Sequence, residues 1–270
     1  MEAFERVARA AVDEASAMLQ ATWRDAKTVQ HKGAVDIVTD TDRAIEAAIV
    51  ARLRHAFPDH LVIAEESTEL STLTAPPSDR HVWYVDPLDG TTNFAHAYPQ
   101  FAVSLALGMG EQLLFGIVHD PVRDETFVAE RGRGATLNGA PIAVSDVRSL
   151  DHALVATGFP YDRRERLESY IGFFADFVRQ TQGVRRNGSA ALDLCYVACG
   201  RLDGFWEWKL RPWDTAAGVL MTQESRGAVS DFRGRGFDLF GLQTLASNGH
   251  LHAEMIAVLG TRLDAPPVRI

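Results

Sequence analysis

Two aspartates three residues apart are the first feature of this chain that could support chemistry. Asp86 and Asp89 follow residues 81–85, whose β-branched and aromatic side chains predict a buried strand. Carboxylates bind hard cations through oxygen, and backbone N–H groups at a helix start bind phosphate. Gly90, which comes next, would let the backbone approach a ligand closely. The stretch predicts a metal-bridged phosphate site, although an acidic turn in which Asp89 caps a short helix would have the same sequence.

A second pair of acids ends another predicted strand. Glu65 and Glu66 directly follow residues 61–64, a short apolar run. Adjacent carboxylates repel each other unless they are solvated, paired with cations or bound to a metal. Solvation alone would explain this pair, but its position repeats that of Asp86, where a buried strand also ends in acid. Layered α/β proteins tend to build their sites at strand ends, so the repetition favours a site.

Further acids lie near predicted helix starts. Asp40 and Asp42 precede a predicted helix that runs to about residue 57, where acids would also simply favour the helix dipole. Asp214 occupies the position of a helix N-cap, and capping alone would explain it. Glu207 closes the predicted strand before it, again with charge at a strand end. For these residues a structural role and a ligand-binding role both remain open.

Basic and sulfur-containing residues provide weaker signals. Arg185 and Arg186 stand before a turn and could contact an oxygen-rich ligand, but ordinary solvent exposure explains them equally well. The only cysteines, Cys195 and Cys199, are four residues apart on one face of a predicted helix. Because no other Cys or His lies at ligand spacing, we interpret them as small buried residues in a reducing compartment.

The composition is that of an ordinary globular protein. At 270 residues, with 46% hydrophobic and 23% charged residues, the chain can bury a sizeable core as one large domain or two joined halves. The net charge of −9 argues against a surface for DNA or RNA, which attract basic proteins. The first residues lack the pattern of a signal peptide, and no apolar run approaches the roughly 18 residues of a membrane span. We therefore expect a cytoplasmic protein without membrane or direct nucleic-acid contacts.

The elements that must position these residues change in type along the chain. Residues 1–145 predict helices packed on an antiparallel sheet, which would carry most of the acidic candidates. Residues 146–270 predict a closely packed α/β half that completes the site. Apolar residues at three- and four-residue steps predict an amphipathic helix over residues 2–20. Residues 28–35, which are mixed polar with a glycine, predict an exposed and mobile loop.

Shorter elements fill the rest of both halves. In the first half, strands are predicted at about residues 101–107, 113–118 and 126–129, followed by an Asn138–Gly139 hairpin. In the second half, helices are predicted at about residues 165–180, 190–199, 214–224 and 249–259, and strands at about residues 154–156, 183–187, 203–207, 227–230 and 244–246.

Together these motifs resemble the inositol monophosphatase family. The two most diagnostic pieces are DPLDGTT at residues 86–92 and WDTAAG at residues 213–218. Supporting pieces are residues 36–42, the Glu65–Glu66 pair, residues 134–139 and residues 185–207. The last of these is more similar to the bacterial inositol-1-monophosphatase branch. The pieces occur in the family's order and cover nearly the whole chain.

The resemblance implies an α+β fold, a layered αβαβα sandwich of the inositol monophosphatase/fructose-bisphosphatase type. It implies Mg²⁺-dependent hydrolysis of a small phosphate monoester, with two or three ions and inhibition by lithium. The expected substrate is myo-inositol 1-phosphate, cleaved to inositol and phosphate by metal-activated water. A homodimer is implied by the resemblance alone. Lys32 and Asp36 would lie on a mobile loop that closes over the metals.

The resemblance also implies the metal ligands. The first Mg²⁺ would be held by Glu65, Asp86 and the carbonyl of Leu88. The second would be held by Asp86, Asp89 and Asp214, so that Asp86 bridges the two ions. Glu65 would also help to hold a weaker third ion through waters.

Catalysis and phosphate binding are assigned in the same way. The resemblance implies that Thr91, oriented by Asp42, helps to position and deprotonate the attacking water, and it places Glu65 among the catalytic residues. The backbone amides of Gly90 and Thr91 would bind phosphate, and Thr92 would lie beside them.

The resemblance assigns the alcohol side of the substrate to the second half of the chain. Glu207 and the turn formed by Gly188, Ser189 and Ala190 would contact the alcohol. Arg211 would lie near it too, where characterised animal members commonly have a histidine. Arginine is familiar there in the bacterial branch, but it changes the charge near the alcohol and bears on the preference for inositol.

The chemistry of the residues supports the assignment independently. Phosphate monoesters hydrolyse extremely slowly, because an anionic ester repels an anionic nucleophile. Cations on the phosphoryl oxygens relieve that repulsion. Four carboxylates held close together would not remain ionised unless cations were bound to them. The candidate ligands are all oxygen, and no His or Cys cluster suits zinc, which favours Mg²⁺. The sequence shows no nucleophilic Cys or Ser constellation, which favours direct attack by water.

Two alternatives stay open at the level of sequence. The metal motif cannot separate inositol phosphate from histidinol phosphate, fructose 1,6-bisphosphate or adenosine 3′,5′-bisphosphate. A different hypothesis is that the chain is a binding partner in a transcription complex, as some bacterial relatives are. The acidic charge argues against direct nucleic-acid binding but not against protein contacts.

Overall fold

The described residues form two large β-sheets, a two-stranded sheet and seven α-helices. The structure is a computed structural model, and it describes residues 1–25, 29–31 and 37–263. The helices are α1 (Glu2–Thr22), α2 (Asp40–Ala56), α3 (Thr91–Ala95), α4 (Leu167–Gln180), α5 (Ala190–Ala198), α6 (Pro212–Glu224) and α7 (His252–Leu263). The strands are β1 (Val29–His31), β2 (Ile37–Thr39), β3 (Leu61–Ala64), β4 (His81–Asp89), β5 (Ala102–Met109), β6 (Gln112–Asp120), β7 (Glu125–Glu130), β8 (Gly134–Leu137), β9 (Ala140–Pro141), β10 (Leu154–Thr157), β11 (Gly183–Arg185), β12 (Gly204–Trp208), β13 (Ala228–Ser230) and β14 (Gln243–Ser247).

The first sheet has seven strands in the order β3-β4-β5-β6-β7-β8-β9. All neighbours are antiparallel except β3 and β4, which are parallel. Successive side chains of a strand point to opposite faces. In β4, Trp83 and Val85 pack against α1 and α2, whereas Val82 and Tyr84 pack against α5 and α6. Because both faces are covered, the strand is apolar at every position rather than at every second one.

The second sheet has five strands in the order β11-β10-β12-β14-β13. Strands β10, β11 and β12 are parallel, and β14 is antiparallel to both β12 and β13. Phe205 of β12 packs toward α5 and α6, and the next residue, Trp206, packs on the opposite face. There its ring stacks on Phe177 of α4, with 3.7 Å between the ring centroids. The layers are therefore α1 and α2, first sheet, α5 and α6, second sheet, α4 and α7, which confirms the predicted αβαβα sandwich.

The central helices need small residues because they are covered on all sides. A Cβ atom on Gly218 of α6 would lie 2.5 Å from Cβ of Leu194 in α5, which is too close for any side chain. A Cβ atom on Gly116 of β6 would lie 3.0 Å from Cα of Ala217. The small residues of the 213–218 motif therefore let α6 pack closely on both α5 and the first sheet, independently of any chemistry near Asp214.

One part of the predicted loop is a strand. Residues 29–31 form β1, which pairs antiparallel with β2 in the register Val29↔Thr39. The prediction of a loop was wrong there, because backbone hydrogen bonds between two short segments do not require an apolar sequence. Residues 26–28, 32–36 and 264–270 lie outside the described residues, and with them Lys32 and Asp36. The division into halves at residue 145 stays a prediction.

Smaller differences concern helix ends. The last helix begins at His252, three residues later than predicted, and continues to Leu263. Helix α5 ends at Ala198, so Cys199 follows the helix and is half-buried, while Cys195 is fully buried. Both cysteines are free thiols. Within the part of the chain that the structure describes, no helix combines the length and the apolar character needed to cross a bilayer.

An aromatic cluster near the start of β4 makes stability depend on pH. His60 stacks between Phe57 and His81, at centroid distances of 4.8 and 4.6 Å. Its Nδ1 atom accepts a hydrogen bond of 3.1 Å from Nε1 of Trp83, so the ring must be neutral at that atom. Burial, and then the positive field of His81, lower the pKa of His60 below its usual value.

We predict that protonation of His60 destabilises the folded protein below about pH 6.5, the ordinary histidine pKa. The unfolded chain binds the proton more readily, so stability is full above that pH and declines as pH falls toward the lowered pKa. His60→Asn keeps an acceptor near Nδ1 but does not titrate. Urea unfolding at pH 7 and pH 5 should show a smaller pH-dependent loss in the variant, whatever its stability at pH 7. Equal losses in both proteins would show that His60 does not contribute.

Candidate active site

A β-bulge brings Asp86 and Asp89 to the same side of β4. Asp86 pairs with Ser104 of β5 and Asp89 with Ala102, so β4 has one extra residue across this step. In a regular strand, residues three apart face opposite sides. Pro87 lies within the bulge and has no N–H group that would need a partner. Asp86 is 1% exposed, and its Oδ1 accepts a 3.0 Å hydrogen bond from the N–H of Leu88.

Glu65 lies beside Asp86 because β3 and β4 are parallel. Ala64 pairs with Val85, so the next residue of each strand is an acid at the same edge. The N–H group of Glu65 donates to the carbonyl of Val85 at 3.1 Å. The N–H of Glu66 donates to the buried Glu46 carboxylate at 2.6 Å. The strand pairing therefore places the two predicted acidic strand ends together.

The carboxylate of Asp89 binds the start of α5, in the second half of the chain. It accepts hydrogen bonds from the hydroxyl of Ser189 at 2.6 Å and from the N–H groups of Ala191 and Ala190 at 2.8 and 3.3 Å. Burial raises the pKa of Asp89 to about 6, while these donors oppose the rise. The interpretation of Asp89 as the cap of the helix directly after it was wrong. The capped helix is about 100 residues away, which local sequence cannot reveal.

Gly90 gives α3 its starting geometry. Its φ is 97°, in the left-handed region, and a Cβ atom there would lie 2.9 Å from the carbonyl oxygen of Gln100. Asn93 holds the other side of α3, because its Nδ2 donates to the carbonyls of Gln100 at 2.7 Å and Asn187 at 2.8 Å. The first residue of the helix, Thr91, is thereby fixed against the end of β4.

Thr91 links the end of β4 to α2 through Asp42. Its Oγ1 lies 2.9 Å from Oδ1 of Asp42 and 3.1 Å from the carbonyl oxygen of Leu88. Because the hydroxyl has a single proton, it can donate a hydrogen bond to only one of these two oxygens at a time. Oδ2 of Asp42 accepts from the Thr39 N–H at 2.9 Å and from the Thr39 hydroxyl. Asp42 is fully buried, which raises its pKa although the donors lower it. Asp42 thus both caps α2 and reaches the site.

Asp214 lies inside the first turn of α6 rather than at its N-cap. The helix begins at Pro212, where the missing N–H group costs nothing, so Arg211 is the N-cap residue. Oδ2 of Asp214 accepts a 2.7 Å hydrogen bond from the N–H of Arg211. The prediction that Asp214 is the N-cap residue was therefore wrong by three positions. Its carboxylate nevertheless accepts a hydrogen bond from a backbone N–H group at the start of α6.

Glu207 occupies the space that a side chain at Gly158 would fill. Thr157 at the end of β10 pairs with Trp206 of β12, so the residues that follow are neighbours. A Cβ atom on Gly158 would lie 2.1 and 2.2 Å from the two carboxylate oxygens of Glu207. Burial raises the pKa of Glu207 well above its usual value, and Arg186 opposes the rise. Sequence analysis did not identify Gly158; a glycine directly after a predicted strand was the available signal.

These side chains surround one pocket of about 720 Å³ at the carboxyl ends of β3, β4, β10 and β12. Residues that line it and that the sequence had indicated are Glu65, Glu66, Asp86, Leu88, Asp89, Gly90, Thr91, Thr92, Gly188, Ala190, Glu207, Arg211 and Asp214. Two of the residues that the resemblance placed in the site do not line it. Asp42 contacts it through Thr91, and Ser189, which is 1% exposed, contacts it through Asp89.

The acids of the pocket repel one another. Burial raises the pKa of Asp86 well above its usual value, and Glu65, Asp89 and Asp214 raise it further. In the described part of the chain no three acidic, His or Cys side chains are arranged closely enough to enclose an ion as they stand. The donor set nevertheless fits a hard divalent cation, because it is all oxygen and its negative charge is not balanced within the group.

Several pocket residues were missed or only partly predicted. Arg186 lines the pocket, whereas Arg185 is not among the lining residues and turns its guanidinium toward the carbonyl of Val184. Arg163 and Lys209 also line it. Behind the pocket, Asp193 is 2% exposed, and its Oδ1 accepts a 2.7 Å hydrogen bond from Asn187. Burial raises the pKa of Asp193 to about 8. An acid on an otherwise apolar helix was the signal for it.

Comparison with known proteins gives consistent matches. The model of the inositol monophosphatase family matches residues 1–263. An inositol-1-monophosphatase from Synechocystis is 44% identical over 260 residues, covering 96% of this chain and 89% of the relative. A Nus factor SuhB from Pseudomonas aeruginosa is 49% identical over 212 residues, covering 78% of each chain. The Escherichia coli Nus factor SuhB is 46% identical over 211 residues, covering 78% of this chain and 77% of that relative.

Solved structures agree with the sequence relatives. The inositol monophosphatase structure from Anabaena superposes with a TM-score of 0.86 at 39% identity, covering 99% of this chain and 98% of that one. The extragenic suppressor protein suhB from Bartonella henselae superposes with a TM-score of 0.87 at 39% identity, covering 95% and 98%. With the acidic pocket, the layered fold and these matches together, the chain belongs to the inositol monophosphatase family.

Proposed function

We propose that the protein is a Mg²⁺-dependent phosphatase that hydrolyses a small phosphate monoester, with myo-inositol 1-phosphate as the leading substrate. The observation that carries the proposal is the convergence of Glu65, Asp86, Asp89 and Asp214 from separate elements on one pocket beside the start of α3. Ionised carboxylates so close together are unfavourable unless cations bind there. Metal ions would compensate the charge of the carboxylates, and the phosphate oxygens of an ester would accept hydrogen bonds from the N–H groups at the start of α3.

The metal ligands in this proposal are the four carboxylates and the carbonyl of Leu88. Glu65, Asp86 and Leu88 would hold one ion, and Asp86 would share a second with Asp89 and Asp214. Mg²⁺ supplies positive charge to the phosphoryl oxygens and lowers the pKa of water. The number of ions, two or three, belongs to the same proposal.

Thr91 and Asp42 would move the proton of the attacking water. While the Thr91 hydroxyl donates to Oδ1 of Asp42, its oxygen lone pairs can accept a hydrogen bond from a water in the pocket. The raised pKa of Asp42 makes that buried carboxylate a better proton acceptor than an ordinary aspartate. Bonds from Thr39 hold Asp42 in place, so the pair is oriented before substrate arrives.

The two ends of the substrate would meet different halves of the chain. Backbone amides of Gly90 and Thr91, with Thr92 beside them, would bind the phosphate, because the first N–H groups of a helix lack intrahelical partners. Glu207, Arg211 and the turn at residues 188–190 would contact the alcohol, since they line the same pocket from the second sheet and α6. Inhibition by lithium, a homodimer and a cytoplasmic location are further parts of the proposal, and they rest on the family resemblance.

The first prediction from the proposed function concerns the metal ligands. Asp214→Asn keeps an oxygen that can accept from the N–H of Arg211 but removes one negative charge. Release of phosphate from myo-inositol 1-phosphate should require Mg²⁺ and should fall on the order of 100-fold or more in this variant, as when a group that stabilises a transition state is removed. Asp40→Asn, an exposed acid at the start of α2, is the matched control and should retain turnover.

The outcomes separate the hypotheses. Turnover that does not need Mg²⁺, or that survives in Asp214→Asn, would contradict the assignment of the acids. Mg²⁺-dependent turnover with a tenfold preference for histidinol phosphate, fructose 1,6-bisphosphate or adenosine 3′,5′-bisphosphate would keep the reaction and replace the substrate. Asp89→Asn is a poorer test, because its amide nitrogen would face an N–H or O–H donor at the start of α5 and would cost about 1–3 kcal/mol of stability.

A second prediction concerns Gly158. Gly158→Ala would place a methyl group where the Glu207 carboxylate lies, so Glu207 must move. We expect kcat/KM for myo-inositol 1-phosphate to fall about tenfold, on the order of one lost polar contact, while the Mg²⁺ requirement persists. Adding Glu207→Asp, which shortens the acid, should restore part of the loss. Gly236→Ala is the control, because a Cβ atom there has nothing within 4 Å. Absence of any loss in Gly158→Ala would remove Glu207 from the alcohol site.

A second candidate function is that of a protein partner in transcription. It is favoured by relatives named Nus factor SuhB, which are 46–49% identical to this chain. We expect the catalytically impaired Asp214→Asn protein to copurify with components of the transcription machinery from its own cells, identified by mass spectrometry. Recovery of none of them, with the bait folded and intact, would count against this function without affecting the phosphatase proposal.

A further inference from the structure

The end of the pocket proposed for the alcohol lies between two segments that leave neighbouring strands. Strands β10 and β12 are parallel, and Thr157 at the end of β10 pairs with Trp206. Residues 158–163 follow β10, and residues 207–211 contain the end of β12 and its connection to α6. Every residue of both segments lines the pocket. We call residues 158–163 the first wall segment and residues 207–211 the second wall segment.

Lys209 has an unusual backbone conformation within the second wall segment. Its φ is 62°, in the left-handed region, where glycine is the favoured residue. Its N–H group donates to the carbonyl of Leu242 at 2.8 Å, which holds the backbone as the chain turns from β12 toward α6. Residues held in such conformations cluster at functional sites. The side chain of Lys209 is therefore a candidate for a role that glycine could not fulfil.

The ammonium group of Lys209 bridges the two wall segments. Its Nζ donates a hydrogen bond to Oδ2 of Asp162 in the first wall segment. The two side chains are 35% and 22% exposed, so this ion pair lies at the rim of the pocket. Burial raises the pKa of Asp162, but hydrogen bonds from Lys209 and Tyr170 outweigh it and hold the pKa below its usual value. Asp162 therefore faces the ammonium group as a carboxylate at neutral pH.

Asp162 is also anchored independently of Lys209. Its Oδ1 accepts a 2.9 Å hydrogen bond from the hydroxyl of Tyr170 in α4, and its Oδ2 lies 3.5 Å from the guanidinium of Arg166. Its carbonyl accepts hydrogen bonds from the N–H groups of Glu165 and Arg166 at 3.0 and 3.2 Å. The carboxylate is thus oriented before any ligand enters, which reduces the entropy that the ion pair costs.

The two wall segments are in contact at two depths. Near the strand ends, the deeply buried carboxylate of Glu207 fills the space beside Gly158. Further along both segments, the partly exposed Lys209–Asp162 ion pair joins them again. The space for the alcohol is bounded on its inner side by Glu207 and on its outer side by the ion pair. An alcohol that extends beyond this frame must separate two opposite charges, which is unfavourable.

We propose that the Lys209–Asp162 ion pair limits the size of the alcohol that the pocket accepts, so that compact polyols are favoured over alcohols with a bulky substituent. Lys209 and Asp162 are then specificity-determining residues. The inference rests on the proposed phosphatase function, because the alcohol is that of the ester. Neither residue belongs to the proposed metal ligands or to the Thr91–Asp42 pair, so their substitution leaves the reacting groups in place.

Hydrogen exchange followed by mass spectrometry tests the ion pair without catalysis. Lys209→Asn removes the ammonium group and keeps a residue that tolerates the left-handed region. We expect peptides from residues 158–166 to exchange about threefold faster in this variant, on the order of one lost ion pair. Arg166→Gln is the matched control, because it removes the other cation near Asp162 without altering the pocket lining, and it should exchange as the unaltered protein does. Equal exchange in Lys209→Asn and the unaltered protein would overturn the proposal.

Substrate preference tests the consequence for the alcohol. Adenosine 2′-monophosphate and myo-inositol 1-phosphate are both monophosphates of secondary alcohols, but the first carries a purine. The ratio of kcat/KM for the adenosine ester to kcat/KM for the inositol ester should rise about fivefold in Lys209→Asn and in Asp162→Asn. The double variant should rise no further, because both substitutions break one interaction. Arg166→Gln should keep the ratio of the unaltered protein. Unchanged ratios in both single variants, or additive changes in the double variant, would overturn the proposal.

The two measurements keep the possible failures apart. If the unaltered protein hydrolyses neither ester, the phosphatase proposal fails. The ratio of the two dissociation constants, measured by calorimetry on the uncleaved esters, then decides the size limit in the same way. Faster exchange in Lys209→Asn with an unchanged ratio would overturn the size limit, because the ion pair would hold the first wall segment without restricting the ligand.

Discussion

The contact between Asp89 and the start of α5 is the constraint on which the rest of the site depends. A carboxylate at the end of a strand in the first sheet accepts three hydrogen bonds from a helix that leads into the second sheet. Such bonds are strong because the acceptor is charged and buried and because a helix start favours negative charge. They fix the turn at residues 188–190 against the bulge in β4, and this sets the distance between the two walls of the pocket.

The pocket combines charges that would be costly if they were left alone. Four carboxylates gather on one side, and Arg163 and Arg186 lie on the other. Within each group the charges have the same sign, so its members repel one another. Like charges held together in a pocket are a mark of a site prepared for ligands of the opposite sign. A phosphate ester accompanied by cations has that character.

Sequence predicted most of the individual helices and strands because apolar strands and helix periodicity are local properties. The αβαβα order was implied by the family resemblance, whereas β4 with its acidic end could be inferred from a short stretch. Contacts between distant segments could not. The partner of Asp89, the Gly158–Glu207 contact and the pairing of β1 with β2 depend on which strands become neighbours, and no local pattern specifies that. Asp214 was misplaced by three positions because Pro212 starts the helix earlier.

The central layer is shared by the cores of both sheets. Helices α5 and α6 bury their side chains against both sheets at once, so neither sheet keeps a complete core without them. The candidate metal ligands divide between the first sheet and α6. A cation that binds only the folded chain would therefore stabilise every layer together, by an amount that grows with the logarithm of its concentration above the Kd. Occupancy of the site and resistance to global unfolding would then be two measures of one equilibrium.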